Sequence, residues 1–263
     1  MRKFSNDLKT VIVKIGSSSI THDNGIINLE RIEELAWQLS NLKNHGINVI
    51  LVSSGAIAAG AKKIGLGSRP RDTVGKQAAS AVGQVALMNT YNRAFHEFGY
   101  EAAQILLTRQ IEVDSLMREN AKNTFEKLSE MNVIPIVNEN DTISTFEIEF
   151  GDNDTLSAVV ARIVDADLLI LLSDIDGLYD DDPRENENAR LIPEVIEIDD
   201  ELENMAKDSK SSVGTGGMYT KINAAKMCME KGIDMVIANS DDLKNIKKIV
   251  EGEEIGTIFK SKA

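Results

Sequence analysis

The chain has 263 residues, 42% of them hydrophobic, and can bury a full core in one large α/β domain, so its stability requires neither metals nor disulfides. The 29 basic and 42 acidic residues give a net charge of −13, which argues against a nucleic acid or an anionic membrane as a main partner. The sequence has one cysteine, no apolar signal segment and no apolar run of the ~18 residues that span a membrane, so we expect a cytoplasmic protein.

Short apolar segments rich in β-branched residues alternate with amphipathic segments, a pattern typical of a mostly parallel sheet covered by helices. In chain order, strands are predicted at residues 11–15, 49–52, 105–107, 133–137, 168–172 and 235–237, followed by a short apolar stretch at 257–259. Helices are predicted after Asn28, over about 74–97, after Asp114, over 155–164 and over about 221–231. No linker or repeat divides the sequence, so we expect one continuous domain over residues 1–263.

Lys14 is the first candidate for a functional residue, because it lies within the first predicted strand. A lysine in a buried strand is unfavourable unless an anion pairs with it. The alternative is an edge strand, on which Lys14 would face solvent. In an open parallel sheet, ligands bind at the carboxyl ends of the strands, so the segments that follow the strands are the candidate binding loops.

Two of these segments combine hydroxyl, amide and carboxyl groups. Ser53, Ser54 and Gly55 follow the second strand and could bind an anion through hydroxyl and backbone N–H groups, although a plain helix N-cap explains them equally well. The segment Asn-Glu-Asn-Asp at 138–141 could hold an ammonium group, or could form an ordinary polar turn.

Two further segments lead into helices. Gly-Asp-Asn-Asp at 151–154 contains more Asp and Asn residues than one N-cap requires. Gly-Thr-Gly-Gly-Met at 214–218 precedes Lys221, and glycines at a helix start let the backbone approach phosphate oxygens. The region 206–217 is either a mobile flap or an ordinary surface loop. Neither a Walker A motif nor a complete GxGxxG motif is present, so a P-loop enzyme and a standard dinucleotide binder are excluded.

Together these segments resemble the amino acid kinase family and, within it, the glutamate 5-kinases. The resemblance covers residues 11–259 and is carried by VKIGSS, VSSGAIAAG, IVNEND, FGDNDTLSA, SDIDGLY and GTGGMYTK, at residues 13–18, 52–60, 136–141, 150–158, 173–179 and 214–221. It implies a three-layer αβα sandwich around an open, mostly parallel sheet. It also implies that the N-terminal part mainly binds glutamate and the C-terminal part mainly binds the nucleotide. Many members carry a C-terminal PUA domain, and we expect a form without it.

The activity implied by the resemblance is transfer of a phosphoryl group from ATP to the side-chain carboxylate of L-glutamate, which gives L-glutamyl 5-phosphate and opens proline synthesis. Lys14 and Lys221 are expected to bind the transferring phosphoryl group, and Asp154 to orient both lysines. Such preorganised charge contributes about 10²–10³ in rate per group. A general base is not required, because the nucleophile is already ionised.

The resemblance also implies which residues contact each substrate. Asp141 is expected to pair with the substrate ammonium, and further contacts to glutamate are expected from Ser54, Asn138 and Asn153. The residues expected to bind ATP are Lys14, Ser173, Asp174, Thr215, Gly216, Gly217, Met218, Tyr219, Thr220 and Lys221. Mg²⁺ is expected to bridge phosphate oxygens and keep several waters, so no protein ligands are assigned to it. We further expect a homo-oligomer that proline inhibits.

Two classes of alternative remain. N-acetylglutamate kinases and aspartate kinases would share the fold but would not need a carboxylate for a free α-ammonium group in the same place, and Asp141 in its Asn-Glu-Asn-Asp segment favours such a group there. A non-catalytic amino acid sensor would be indicated by loss of a lysine or of the glycine-rich segment. Because Lys14, Lys221 and that segment are all present, an enzyme is favoured.

Overall fold

One sheet of eight strands runs through the described part of the computed structural model, which comprises residues 1–144, 153–200, 202–204 and 217–262. In chain order the strands are β1 (Thr10–Ile15), β2 (Asn48–Ser53), β3 (Ala102–Leu107), β4 (Ile134–Glu139), β5 (Leu168–Ser173), β6 (Glu194–Val195), β7 (Asp234–Asn239) and β8 (Thr257–Phe259). Their spatial order is β3-β4-β2-β1-β5-β7-β8-β6. All neighbouring pairs are parallel except β7 with β8. Since β1 lies between β2 and β5, the edge-strand alternative for Lys14 is wrong.

Helices cover both faces of this sheet. They are α1 (Ser17–Ile20), α2 (Leu29–Asn44), α3 (Ala56–Lys63), α4 (Thr73–His96), α5 (Ser115–Glu130), α6 (Asn153–Ile163), α7 (Met218–Met229) and α8 (Asn245–Val250). Side chains alternate between the faces of a strand, so Val11 and Val13 of β1 pack in a cluster with α2, α4 and α8. Ile12 packs on the other face in a cluster with α5, α6 and α7. The expected three-layer α/β architecture is therefore confirmed.

The helix ends follow local signals in the sequence. Asn28 and Asp114 each accept hydrogen bonds from backbone N–H groups in the first turns of α2 and α5. Gly46 and Gly99 follow α2 and α4 with positive φ angles of 83° and 80°, a conformation that glycine adopts at little cost. No helix among the residues described has the length and hydropathy to span a bilayer.

Several element bounds differ from the predicted ones where the candidate loops begin. Strand β4 continues to Glu139, so Asn138 is a strand residue and not part of a turn. Helix α6 begins at Asn153, so Asn153 and Asp154 belong to its first turn. Helix α7 begins at Met218, one turn before Lys221. The short elements α1, α8 and β6 were not predicted, because segments of two to six residues carry little periodic signal.

Helices α3 and α4 cross at two glycines. A Cβ atom placed on Gly60 would lie 1.7 Å from the backbone oxygen of Ala79, and one placed on Gly83 would lie 1.8 Å from that of Ala56. Neither helix could carry a methyl group at its crossing point without moving away from the other. Because α3 directly follows the loop after β2, this contact fixes the position of α4 relative to that loop.

Candidate active site

The carboxyl ends of β1, β2, β4 and β5 lie side by side, because these strands are parallel neighbours. Lys14 lies near the end of β1, and Asp154 lies in the first turn of α6. Lys221 lies in the first turns of α7. The Asp154 carboxylate forms an ion pair with the Lys14 ammonium and a second ion pair, of 2.9 Å, with that of Lys221. All three side chains are at most 10% exposed, so the two ion pairs form a buried triad.

The triad carries one more positive than negative charge. Burial alone would raise the pKa of Asp154, but the charges of Lys14 and Lys221 and their hydrogen bonds outweigh it and hold that pKa well below its usual range. Asp154 therefore stays ionised, and the triad sets two basic side chains against one carboxylate. A buried site with this excess charge suits a phosphate group, which is the chemistry that an ATP-binding site needs.

Asn153 connects the loop after β2 to the end of β4. The two hydrogens of its amide nitrogen are shared among three acceptors, the backbone oxygen of Ser53 at 3.1 Å, the hydroxyl of Ser54 at 2.9 Å and Oδ1 of Asn138 at 2.9 Å. Asn153 is 1% exposed and Asn138 is 2% exposed. Because Asp154 is the next residue of α6, this amide cluster lies directly beside the triad.

Asp141 is buried at the turn after β4 and accepts a hydrogen bond from the hydroxyl of Ser80. Asn138 donates from its amide nitrogen to Oε1 of Gln84 at 3.0 Å. The structure therefore brings together all four residues that were predicted to bind glutamate, namely Ser54, Asn138, Asp141 and Asn153. It also adds two residues of α4 that sequence reasoning missed. The signal available in the sequence was that Ser80 and Gln84 are four positions apart in a predicted helix and so lie on the same helix face. In the structure both side chains are buried.

The predicted nucleotide residues lie at the ends of β5 and at the start of α7. Ser173 is 8% exposed, and its hydroxyl donates to the Asp174 carboxylate at 3.1 Å. The Thr220 hydroxyl lies 2.8 Å from the backbone oxygen of Gly217 and 3.3 Å from the Asp154 carboxylate, and it can donate its one hydrogen to either acceptor. Met218 and Tyr219 occupy the first turn of α7, where N–H groups attract anions. This half of the predicted site therefore meets the glutamate half at Asp154.

Some predicted residues lie outside the described residues. These are Thr215 and Gly216 of the nucleotide set, Gly151 and Asp152 of the segment before α6, and the candidate flap except for Gly217. The single cysteine, Cys228, is a buried core thiol, and burial raises its pKa to about 12. Its burial and raised pKa are typical of an unreactive thiol that serves in packing.

Comparison with known proteins identifies the family. Residues 9–239 match the model of the amino acid kinase family. A glutamate 5-kinase from Clostridium perfringens is 49% identical over 266 aligned positions, which cover 100% of this chain and 99% of that protein. A glutamate 5-kinase from Carboxydothermus hydrogenoformans is 52% identical over 98% of this chain and 70% of that protein.

Solved structures of lower identity share the fold. The UMP kinase of Bacillus anthracis superposes with a TM-score of 0.63 at 16% identity, covering 98% of each chain. The UMP kinase of Ureaplasma parvum gives a TM-score of 0.64 at 16% identity, covering 97% of this chain and 99% of that one. At this identity the likeness concerns the fold alone, and the family rests on the closer relatives. The chain belongs to the amino acid kinase family and, within it, to the glutamate 5-kinases.

Proposed function

We propose that this protein transfers a phosphoryl group from ATP to the side-chain carboxylate of L-glutamate and forms L-glutamyl 5-phosphate, the first step of proline synthesis. The proposal is supported by the contact between two groups of residues that differ in their chemistry. A buried triad with excess positive charge adjoins a cluster of amide, hydroxyl and carboxyl groups. The relatives at 49% and 52% identity support the same reaction.

The chemistry requires that two anions approach each other, a carboxylate and a triphosphate. Lys14 and Lys221 supply the positive charge that offsets this repulsion, and Asp154 holds their ammonium groups in fixed positions before substrates bind. Because the accepting carboxylate is already ionised, no residue is assigned as a general base. Mg²⁺ on the phosphate oxygens would add positive charge there and needs few protein ligands.

The amide cluster recognises the amino acid end of the substrate. Asp141 is 3% exposed, and its carboxylate would pair with the α-ammonium group. Asn138 and Asn153 supply further hydrogen bonds, and Ser54 binds the substrate through its hydroxyl. The N-terminal part of the domain thus mainly binds glutamate. The C-terminal part, with Ser173, Asp174 and residues 215–221, mainly binds ATP. We also propose a cytoplasmic homo-oligomer, on the family resemblance alone.

Free glutamate is expected to be strongly preferred over N-acetylglutamate, because acetylation removes the charge that Asp141 would pair with. The measurement is a hydroxylamine trap for the acyl phosphate with ATP and Mg²⁺, run with glutamate, N-acetylglutamate and aspartate. Loss of one charge-assisted hydrogen bond predicts a kcat/KM lower by roughly 10-fold or more for N-acetylglutamate. Equal turnover of the two substrates would contradict the assignment.

Proline is expected to inhibit by competing with glutamate. It carries a positively charged, though secondary, ammonium group and an α-carboxylate, like the amino acid end of glutamate, but it has no side-chain carboxylate to accept a phosphoryl group. We propose that proline binds at Asp141 and contacts the loop that continues toward Thr145. Thr145 itself lies outside the described residues. Initial rates at several glutamate concentrations, with and without millimolar proline, test this. Inhibition that persists at saturating glutamate would place the proline site elsewhere, and no inhibition at subsaturating glutamate would remove the proposal.

A further inference from the structure

Helix α4 contacts the proposed glutamate site through two side chains that lie one turn apart. Ser80 and Gln84 are 4% and 7% exposed. The Ser80 hydroxyl donates to Oδ2 of Asp141, and Oε1 of Gln84 accepts from Asn138. Each of these two residues therefore holds a different side chain at the end of β4.

The orientation of the Gln84 amide follows from its surroundings. The backbone N–H of Glu139 can only donate, and it lies 2.9 Å from one terminal atom of the Asn138 side chain, which must be the oxygen. The other terminal atom of Asn138 is then the nitrogen, so Gln84 must face it with its own oxygen. As a result, Nε2 of Gln84 points elsewhere, and it is buried without a hydrogen-bond partner among the residues that the structure describes.

In Asn153, by contrast, the side-chain atom without a partner among the described residues is an acceptor and not a donor. The backbone oxygen of Ser53 can only accept, so the atom of Asn153 at 3.1 Å from it must be the nitrogen. Oδ1 of Asn153 is then buried without a hydrogen-bond partner in the described ranges. A buried polar atom without a partner costs about 1–3 kcal/mol, and such atoms are rare in native proteins. The cluster around Asn138 thus offers one donor and one acceptor.

A donor beside an acceptor fits the α-carboxylate and α-ammonium groups of an amino acid. We propose that Ser80 and Gln84 determine the specificity of this site for amino acids. Ser80 is a positioning residue that fixes the rotation of the Asp141 carboxylate for the ammonium group. Gln84 positions Asn138 and donates from Nε2 to the α-carboxylate. The inference rests on the proposed function, because it assigns groups of the glutamate substrate to these atoms.

The crossing of α3 and α4 explains how α4 can hold Ser80 and Gln84 in fixed positions at the site. Gly83 directly precedes Gln84, and its close contact with Ala56 leaves no space for a side chain. Gly60 makes the equivalent contact with Ala79, the residue before Ser80. The two contacts tie α4 to the loop of Ser54, so the donors of α4 and of that loop keep a fixed separation.

The test compares glutamate with two analogues that each lack one of its groups. Glutarate lacks the ammonium group, and 4-aminobutyrate lacks the α-carboxylate. The inhibition constant of each analogue, divided by the KM for glutamate, measures how strongly the missing group is recognised. These ratios are to be measured for the wild-type protein, Ser80→Ala and Gln84→Met. Matched controls come from α2, where Ser40 and Gln38 are equally buried and each has an oxygen without a hydrogen-bond partner in the described part of the chain.

We expect Ser80→Ala to raise the KM for glutamate several-fold and to lower the glutarate ratio by about the same factor, with kcat and the KM for ATP within about twofold. Gln84→Met should raise the KM for glutamate by roughly 10-fold and lower the 4-aminobutyrate ratio in parallel. Gln84→Glu keeps an oxygen that faces Asn138 but replaces the donor with a second, negatively charged carboxylate oxygen. It should therefore bind glutamate at least as weakly as Gln84→Met does, because the new charge repels the α-carboxylate, whereas 4-aminobutyrate, which lacks that group, should lose much less affinity. Ser40→Ala and Gln38→Met should leave every ratio unchanged.

Failure of this inference is distinguishable from failure of the proposed function. If the wild-type protein phosphorylates glutamate but the ratios stay constant in Ser80→Ala and Gln84→Met, the inference is wrong and the proposed function stands. Equal changes in the variants and their α2 controls would also overturn it, because they would report a general loss of packing. A wild-type protein that forms no hydroxamate with glutamate overturns both.

Discussion

Replacing Lys14 with alanine is expected to lower kcat about 10²–10³-fold while the KM for glutamate changes by no more than about twofold. Lys14 belongs to the buried triad and not to the amide cluster that would recognise glutamate. Its charge is needed most when the phosphoryl group lies between the two substrates. An interaction of this kind lowers the energy of the transition state and contributes little to binding of the ground state. The same result is expected for Lys221→Ala.

The fold should survive either substitution. When Lys14 is removed, Asp154 keeps its 2.9 Å ion pair with Lys221, so no charge is buried without a partner. Lys14→Arg offers a second test, because a planar guanidinium cannot occupy the position of a compact ammonium group. We expect it to lose most of the activity as well. Rates are measured with the hydroxylamine trap at saturating ATP and glutamate, and folding is monitored by thermal unfolding.

Lys9→Ala is the control for this experiment. Lys9 directly precedes β1 and is exposed, so its removal changes the net charge of the protein by the same amount without touching the triad. Its kcat should equal that of the wild-type protein. Near-normal kcat in Lys14→Ala would mean that Asp154 and Lys221 suffice, and that Lys14 contributes only to the packing of β1.

The sequence predicted the sheet well, because each central strand is an apolar segment bounded by turn residues. It also predicted that the candidate residues share one edge of the sheet, since the carboxyl ends of parallel strands lie on the same edge, although the strand order decides which of these ends are neighbours. Lys14 shows how far that reasoning reaches. An unpaired lysine in a central strand is too costly, so the residue required an anion nearby. The strand pattern did not identify that anion, the family resemblance implied Asp154, and the structure shows the ion pair.

Contacts made by the middle of a helix could not be predicted in this way. Ser80 and Gln84 are ordinary residues in a long helical segment, and they contact Asp141 and Asn138 only because the fold places α4 beside the end of β4. The position of α4 depends in turn on its close backbone contacts with α3 at Gly83 and Gly60, which are tertiary features. A glycine within a helical segment signals a possible close approach, but the sequence alone does not identify the partner.

The second large effect is expected for Asp154→Asn, which should lower both stability and kcat. Despite its burial, Asp154 has a pKa well below the usual range, because Lys14 and Lys221 stabilise its ionised form. The substitution therefore removes a full charge and leaves two buried ammonium groups facing an amide. Loss of one partner from a buried ion pair costs about 3–5 kcal/mol, which corresponds to a fall in Tm on the order of 10 °C. We expect kcat to fall at least 10²-fold, since the lysines lose their fixed positions.

A nucleotide should compensate for the lost charge, and this distinguishes the role of Asp154 from that of any other buried carboxylate. Phosphate oxygens would bring negative charge to the two lysines, so MgATP should raise the Tm of Asp154→Asn more than it raises the Tm of the wild-type protein. Asp234→Asn is the matched control. Asp234 is also fully buried, but it accepts hydrogen bonds from Ser5 and Ser261 at the amino end of β7, whereas the triad lies at the carboxyl ends of the parallel strands. That variant should lose stability, keep its kcat and gain no more from MgATP than the wild-type protein gains. Equal gains from MgATP in Asp154→Asn and Asp234→Asn would mean that the phosphates do not bind at the two lysines.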